Sequence, residues 1–182
     1  GPGTGDTVIA AAPTRAYVDE VGAEPGRLRI GLLDFHPRGF EVHDECVKAV
    51  RNTARILESL GHHVEPAFPE ALADEVFPKQ FSTLWAANMA GHRTRTGALL
   101  GRSLTVDEVE PINWALADLA GRMSAEAYST ALGAVARFRR AMQGWWSTDG
   151  WDLLLTPTMA APPAPVRFLE NTPDNPLAPF AK

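Results

Sequence analysis

Trp151-Asp152-Leu153-Leu154-Leu155-Thr156-Pro157-Thr158-Met159, running on into Ala160-Ala161-Pro162-Pro163-Ala164-Pro165, is the stretch that decides how this chain is read. Residues 152–156 form a short apolar run stopped by Pro157, the pattern of a fully buried strand that hands over to a proline-rich loop. A loop at the end of such a strand is where α/β proteins place ligand contacts. No nucleophile with an evident base beside it lies within the stretch, so its own chemistry names no reaction.

Working outward, Gly150 precedes the strand, and upstream of it a helix capped by Ser124 carries the stripe Tyr128, Leu132, Val135, Phe138, Met142 and Trp145. Before that helix, Pro111 starts another that reaches Met123, with Ile112, Leu116, Leu119 and Met123 as its stripe. Thr105 and Glu108 have the spacing of a capping box around a brief turn. From 74 to 96 a longer helix presents Phe77, Phe81, Leu84, Trp85, Asn88 and Met89 on one broad face. Further upstream, residues 28–33 alternate as a strand between turn signals, 43–60 repeat as a helix through Val47, Val50, Ala54 and Leu57, and 62–66 read as a short second strand. Gly61 suits the left-handed position that ends the helix. Strand, helix and strand at this spacing make a βαβ unit with parallel strands. Residues 1–27 read as a linker or covering arm with one turn near Tyr17, and the prolines after Pro157 forbid regular structure. The organisation is thus arm (1–27), βαβ unit (28–66), helical region (74–148) and final strand with its loop (151–182), all parts of one domain. Gly1-Pro2-Gly3-Thr4-Gly5-Asp6 and Pro179-Phe180-Ala181-Lys182 both read as cut ends.

Composition narrows the class. The 182 residues are 45% hydrophobic and carry seventeen basic against twenty-two acidic groups, a formal charge of −5 that gives no electrostatic footprint for nucleic acid. The cluster Arg137-Phe138-Arg139-Arg140 falls in a helical pattern as its solvated face. Cys46 is the lone cysteine, which excludes an internal disulfide and fits a reducing, cytoplasmic setting. No run approaches the length of a membrane span.

Each candidate site has a plainer reading beside it. His36, His43, His62 and His63 suggest a metal, but His43 and His62 stand at opposite ends of a helix roughly 27 Å long, beyond the reach of one ion; no metal or other cofactor is expected. Cys46 reads as a packed thiol. The loop 31–39 lacks both the GxGxxG pattern and a Walker lysine, although Arg38 near a helix start is suited to an anion. Trp114 points away from its own helix's stripe and needs a second surface to cover it. Phe81, Trp85, Asn88 and Met89 make an aromatic face with one amide, suited either to core packing or to a pocket for an acyl or amide group.

The opening Gly1-Pro2-Gly3-Thr4-Gly5-Asp6, residues 28–33, the helix end Leu57-Glu58-Ser59-Leu60-Gly61-His62-His63-Val64 and the segment Trp151-Asp152-Leu153-Leu154-Leu155-Thr156-Pro157-Thr158 together resemble the later half of an amidase signature enzyme, with matching order along essentially the whole chain. The resemblance implies an α/β/α sandwich around a mixed sheet, here a partial domain with a helical insertion. It also implies hydrolysis of a carboxamide through a serine acyl-enzyme, with a second serine held by a cis peptide and a lysine. In the family those three residues lie in a Gly/Ser-rich region and at a lysine, both upstream of the part matched here. Ser59, Ser82, Ser103, Ser124, Ser129 and Ser147 sit in caps or helical patterns, and neither Lys48 nor Lys79 has the family context, so no catalytic residue is carried over and the segment by itself is expected to be inactive. Its expected contribution is a pocket wall for a small-molecule amide, drawn from Phe81, Trp85, Asn88, Trp114, Thr158 and Met159, completed by the remainder of an amidase chain; a homodimer is compatible with it. The rivals are a non-catalytic α/β interaction module, a tRNA-dependent amidotransferase A-type subunit, which the acidic charge disfavours, and an anion-binding domain built on Arg38.

Overall fold

A computed structural model describes residues 3–181. Gly1, Pro2 and Lys182 of the expected cut ends lie outside the described residues. The elements follow the order β1 (Arg29–Leu32), α1 (Asp44–Ser59), β2 (His63–Pro66), α2 (Phe77–Leu100), α3 (Pro111–Ala120), α4 (Ala125–Ser147) and β3 (Leu153–Leu155), with 3-10 turns at Tyr17–Glu20, Glu70–Ala73, Val106–Glu108 and Ala178–Ala181. The strands form one sheet in the order β2-β1-β3. Both pairings are parallel, so the sheet has no antiparallel member among the described residues.

The central strand explains the layering. Side chains alternate along a strand, so Ile30 and Leu32 face one way and Gly31 the other. Ile30 is 1% exposed, and its face also carries Val64, the residue opposite it on β2. Helix α1 closes that face with Val50 and Ala54, both buried, while half-buried Val47 and Leu57 extend the stripe. On the opposite face the missing side chain of Gly31 makes room for an indole. A Cβ there would stand 2.6 Å from Trp145 Cζ2 and 2.6 Å from the Ala67 carbonyl oxygen. Trp145 of α4 is 5% exposed and stacks on Trp151, ring centroids 5.1 Å apart at 4°. Arg29 lies over Trp151 at 3.9 Å and donates to the Asp149 carbonyl at 2.9 Å, which ties the turn before β3 to β1.

The strand at 152–156 departs from expectation. It is three residues long and half open: Leu153 is 49% exposed, and the deeply buried residue is Trp151 just before it. The reason is position, because β3 pairs with β1 on one side and has no strand on its other side among the described residues. The chain is nevertheless anchored there, since the Arg29 N–H donates to Asp152 Oδ2 at 2.7 Å and the Asp152 N–H donates to the Arg29 carbonyl at 2.9 Å.

The helical region has shifted ends. Helix α2 starts at Phe77 rather than 74 because Asp74 Oδ1 accepts the N–H groups of Val76 and Phe77, holding the chain outside the helix, and Pro78 then fits the first turn. It continues past 96 to Leu100 and stops where Gly101 turns left-handed at φ 67°. Helix α3 ends at Ala120, short of Met123, before Ser124 Oγ accepts the Ala127 N–H and caps α4. Alanines occupy the deepest sites on these helices: Ala86 of α2, Ala117 of α3 and Ala131 of α4 are all buried. Small residues at those positions let the helices approach closely, and the larger Leu119, Tyr128 and Leu132 of the expected stripes stay substantially exposed. The arm before β1 is exposed almost throughout, and its 3-10 turn at Tyr17–Glu20 forms where expected.

Two expectations follow. Gly31→Ala forces Trp145 or the Ala67 backbone to move, so it lowers stability by about 1–3 kcal/mol in a denaturant titration; an unchanged midpoint would remove this contact as an organiser. The capping box around Thr105 also has a pH signature. Glu108 accepts two bonds from the Arg102 guanidinium and one from the Thr105 N–H, which brings its pKa from the ordinary 4.5 down to about 2. A depressed carboxylate pKa means the turn is fully supported above about pH 4.5 and loosens as pH falls through 2. An NMR titration of the Glu108 side chain should have its midpoint near 2, and a midpoint in the ordinary carboxylate range would show that the Arg102 pair does not persist in solution.

Candidate functional site

Parallel strands put the loops that follow them at the same edge of the sheet, and ligands in open α/β sheets bind beyond the carboxyl ends of the strands. Here β1 passes through Leu33, whose N–H donates to the Leu155 carbonyl at 2.9 Å, into the loop 34–43, and β3 passes into 156–160. The two loops are joined where the His43 N–H donates to the Ala160 carbonyl at 2.8 Å. Beyond them lies a cavity of about 640 Å³, floored by Leu33, Leu154 and Thr156 and rimmed by residues of both loops.

Its far wall is aromatic. Phe77, Phe81 and Trp85 are spaced four residues apart and so share one face of α2. Phe77 stacks on Phe138 of α4 with centroids 3.7 Å apart and stands 6.1 Å from Phe81, which is 6.5 Å from Trp85. Phe180 meets the Trp85 ring edge to face at 5.5 Å and closes the band. Dispersion and ring contacts suit such an arrangement to flat or methylene-rich groups. Phe81 remains 52% exposed, leaving its ring open to whatever enters.

Of the six residues singled out from sequence, the structure gathers Phe81, Trp85 and Met159 on this cavity. Thr158 is exposed on the same loop without lining it, Thr156 and Pro157 doing so instead. Asn88 lies exposed on α2. Trp114 faces a different depression, where the Arg93 guanidinium covers its ring at 4.6 Å and itself pairs with Asp118 at 2.7 Å. The second surface that Trp114 needed is therefore α2. Phe138, Met142, Phe180 and the loop residues Phe35, His36 and Arg38 are further lining residues that periodicity did not assign to a site. Phe138 and Met142 were visible as a stripe, but which stripe faces a cavity depends on how α4 crosses α2.

Three of the four histidines singled out serve the backbone, and His63 stands 3.4 Å from the Glu65 carboxylate instead. Nδ1 of His36 accepts the Arg38 N–H, that of His43 the Glu45 N–H and that of His62 the Leu28 N–H, each at 3.2 Å. Three serines are engaged by their own helices: Ser82, which lines the cavity, donates to the Pro78 carbonyl at 2.9 Å, and Ser59 and Ser147 donate to helix carbonyls likewise. No described helix is long and apolar enough to cross a membrane.

Known proteins agree with this architecture. The chain is 37% identical over 156 residues to the 6-aminohexanoate-cyclic-dimer hydrolase of Paenarthrobacter ureafaciens, an alignment covering 85% of this chain and 31% of that protein. It thus spans about a third of the length of the curated relatives it matches. The solved structure of 6-aminohexanoate cyclic dimer hydrolase superposes with a TM-score of 0.90 at 34% identity, over 97% of this chain and 37% of that one. A bacterial aryl acylamidase of the amidase signature family shares the fold, with a TM-score of 0.63 at 21% identity over 76% of this chain and 28% of the other. The profile of the Amidase family matches residues 4–181. With its parallel strands, covering helices and a match that spans nearly every residue, the chain belongs to the Amidase family and is an α/β segment of the amidase signature fold.

Proposed function

We propose that this chain forms the acyl-pocket side of an amidase that hydrolyses a carboxamide C–N bond, the nucleophilic serine lying outside residues 1–182. In this reading the serine oxygen attacks the amide carbonyl carbon, the C–N bond breaks as the nitrogen takes a proton and leaves, and water then cleaves the acyl ester to a carboxylate. The observation that carries it is the aromatic cavity at the carboxyl ends of parallel strands, in a chain whose relatives are hydrolases. Four serines support it too, since Ser59, Ser82 and Ser147 donate to helix carbonyls and Ser124 caps α4. The wall of Phe77, Phe81, Trp85 and Phe138 favours an apolar or aryl amide over a highly charged one. The related hydrolase acts, by its name, on a cyclic dimer of 6-aminohexanoate, a methylene-rich amide of the kind such a wall holds. The net charge of −5 speaks against an RNA-bound substrate, and the half-buried Cys46 thiol fits a cytoplasmic setting.

Two measurements test this in the polypeptide that carries the chain. A fluorophosphonate probe followed by peptide mapping should label a serine outside 1–182; a label on Ser82 or any other serine of the segment would overturn the assignment. Phe81→Ala should lower kcat/KM for an apolar amide roughly ten- to hundredfold through KM, as expected for losing one buried aromatic contact, and an unchanged value would take the pocket wall elsewhere.

A further inference from the structure

One side chain on the cavity wall does not fit a purely apolar occupant. Arg38, in the loop between β1 and α1, is the one lysine or arginine among the described residues lining the cavity. It is half-buried, and no carboxylate of the described residues stands within salt-bridge reach of it. Its neighbours differ in this respect, since Arg51 pairs with Asp34 at 2.6 Å and Arg29 with Glu65 at 3.2 Å. Asp74 is the other charged lining residue, and its carboxylate is engaged by the N–H groups of Val76 and Phe77.

The backbone that carries Arg38 is held in place. The Arg38 N–H donates to His36 Nδ1, the Gly39 N–H donates to the His36 carbonyl at 2.9 Å, and Gly39 takes a φ of 78° that completes the turn. The guanidinium lies over the Phe40 ring at 5.1 Å. A guanidinium keeps its charge at every physiological pH, and partial burial beside aromatic rings without a counter-ion is costly unless a ligand or water supplies acceptors. Its planar fork matches a carboxylate through two parallel N–H bonds. A dianionic phosphate would leave half its charge uncompensated beside a single cation and a wall of rings.

We propose that Arg38 is a specificity-determining residue that receives a carboxylate on the substrate, separated from the scissile amide by an apolar spacer lying along Phe77, Phe81 and Trp85. The preferred substrate is then an otherwise apolar amide with one free carboxylate. This rests on the amidase reading above and narrows its substrate class.

The test compares an alkyl amide bearing a terminal carboxylate with its methyl ester, in the wild-type protein and in Arg38→Gln and Arg38→Lys. The wild type should favour the acid in kcat/KM by roughly tenfold or more, the effect of a charge-assisted bidentate pair. Arg38→Gln should bring the ratio to about unity through KM, and Arg38→Lys should restore part of it, with the thermal midpoint confirming that each variant folds. A wild-type ratio near unity, or the same ratio in Arg38→Gln, overturns the proposal. Calorimetric titration with hexanoate and hexanamide separates it from the parent reading. Tighter binding of hexanoate that is lost in Arg38→Gln, with no amide turned over, keeps the carboxylate site and removes the amidase. Amide turnover with equal binding of the two probes does the reverse.

Discussion

The contact between Trp145 and Gly31 is the constraint on which the other packing depends. A strand buried on both faces needs side chains small enough on one of them for a helix to approach, and Gly31 supplies none at all where the indole lies. The indole in turn stacks on Trp151, and Trp151 is held by Arg29 of the same central strand. This closed set places the end of α4 and the start of β3 together against β1. Because α4 also stacks Phe138 on Phe77, the position of α2 follows from it.

From that position comes the cavity. Parallel pairing brings the loops after β1 and β3 to one edge, and the bond from His43 to Ala160 keeps them together. The α2 face of Phe77, Phe81 and Trp85 then stands across from those loops, with Phe77 also packed on Phe138 of α4. The deepest sites on α2, α3 and α4 are alanines, and Phe81 of α2 stays half exposed on the cavity while Phe77 stacks on Phe138 beside it. Packing and pocket are thus two consequences of one distribution of large and small side chains.

In the proposed reading the wall divides its labour between dispersion and charge. Aromatic rings hold an apolar group without fixing its direction, whereas a guanidinium fixes an oxygen pair through geometry. Arg38 and the aromatic band lie on different elements of the cavity, the loop after β1 and helix α2. An amide with an acidic end would be oriented by both.

Much of the fold was legible in the sequence. The βαβ unit, the Thr105–Glu108 box, the Ser124 cap and the stop at Gly61 are local events, decided by alternation, helical spacing and the hydrogen bonds that a few side chains offer the backbone. The Leu-Leu-Leu strand before Pro157 and the turn Leu-Gly-His-His-Val were enough to mark the family. Phe81, Trp85 and Met159 could be named from sequence as cavity-lining candidates because an aromatic helix face and a loop after a strand are local patterns as well. Periodicity shows which residues share a face but not what stands opposite that face. Trp114 was covered by Arg93 of another helix, β3 was open on one side, and Phe180 reached Trp85 from 95 positions away, all settled by how the elements cross. The sequence by itself determined the elements and their family; only tertiary structure decided which aromatic face became a wall and which cation on it has no carboxylate partner among the described residues, because both depend on contacts between residues far apart in the chain.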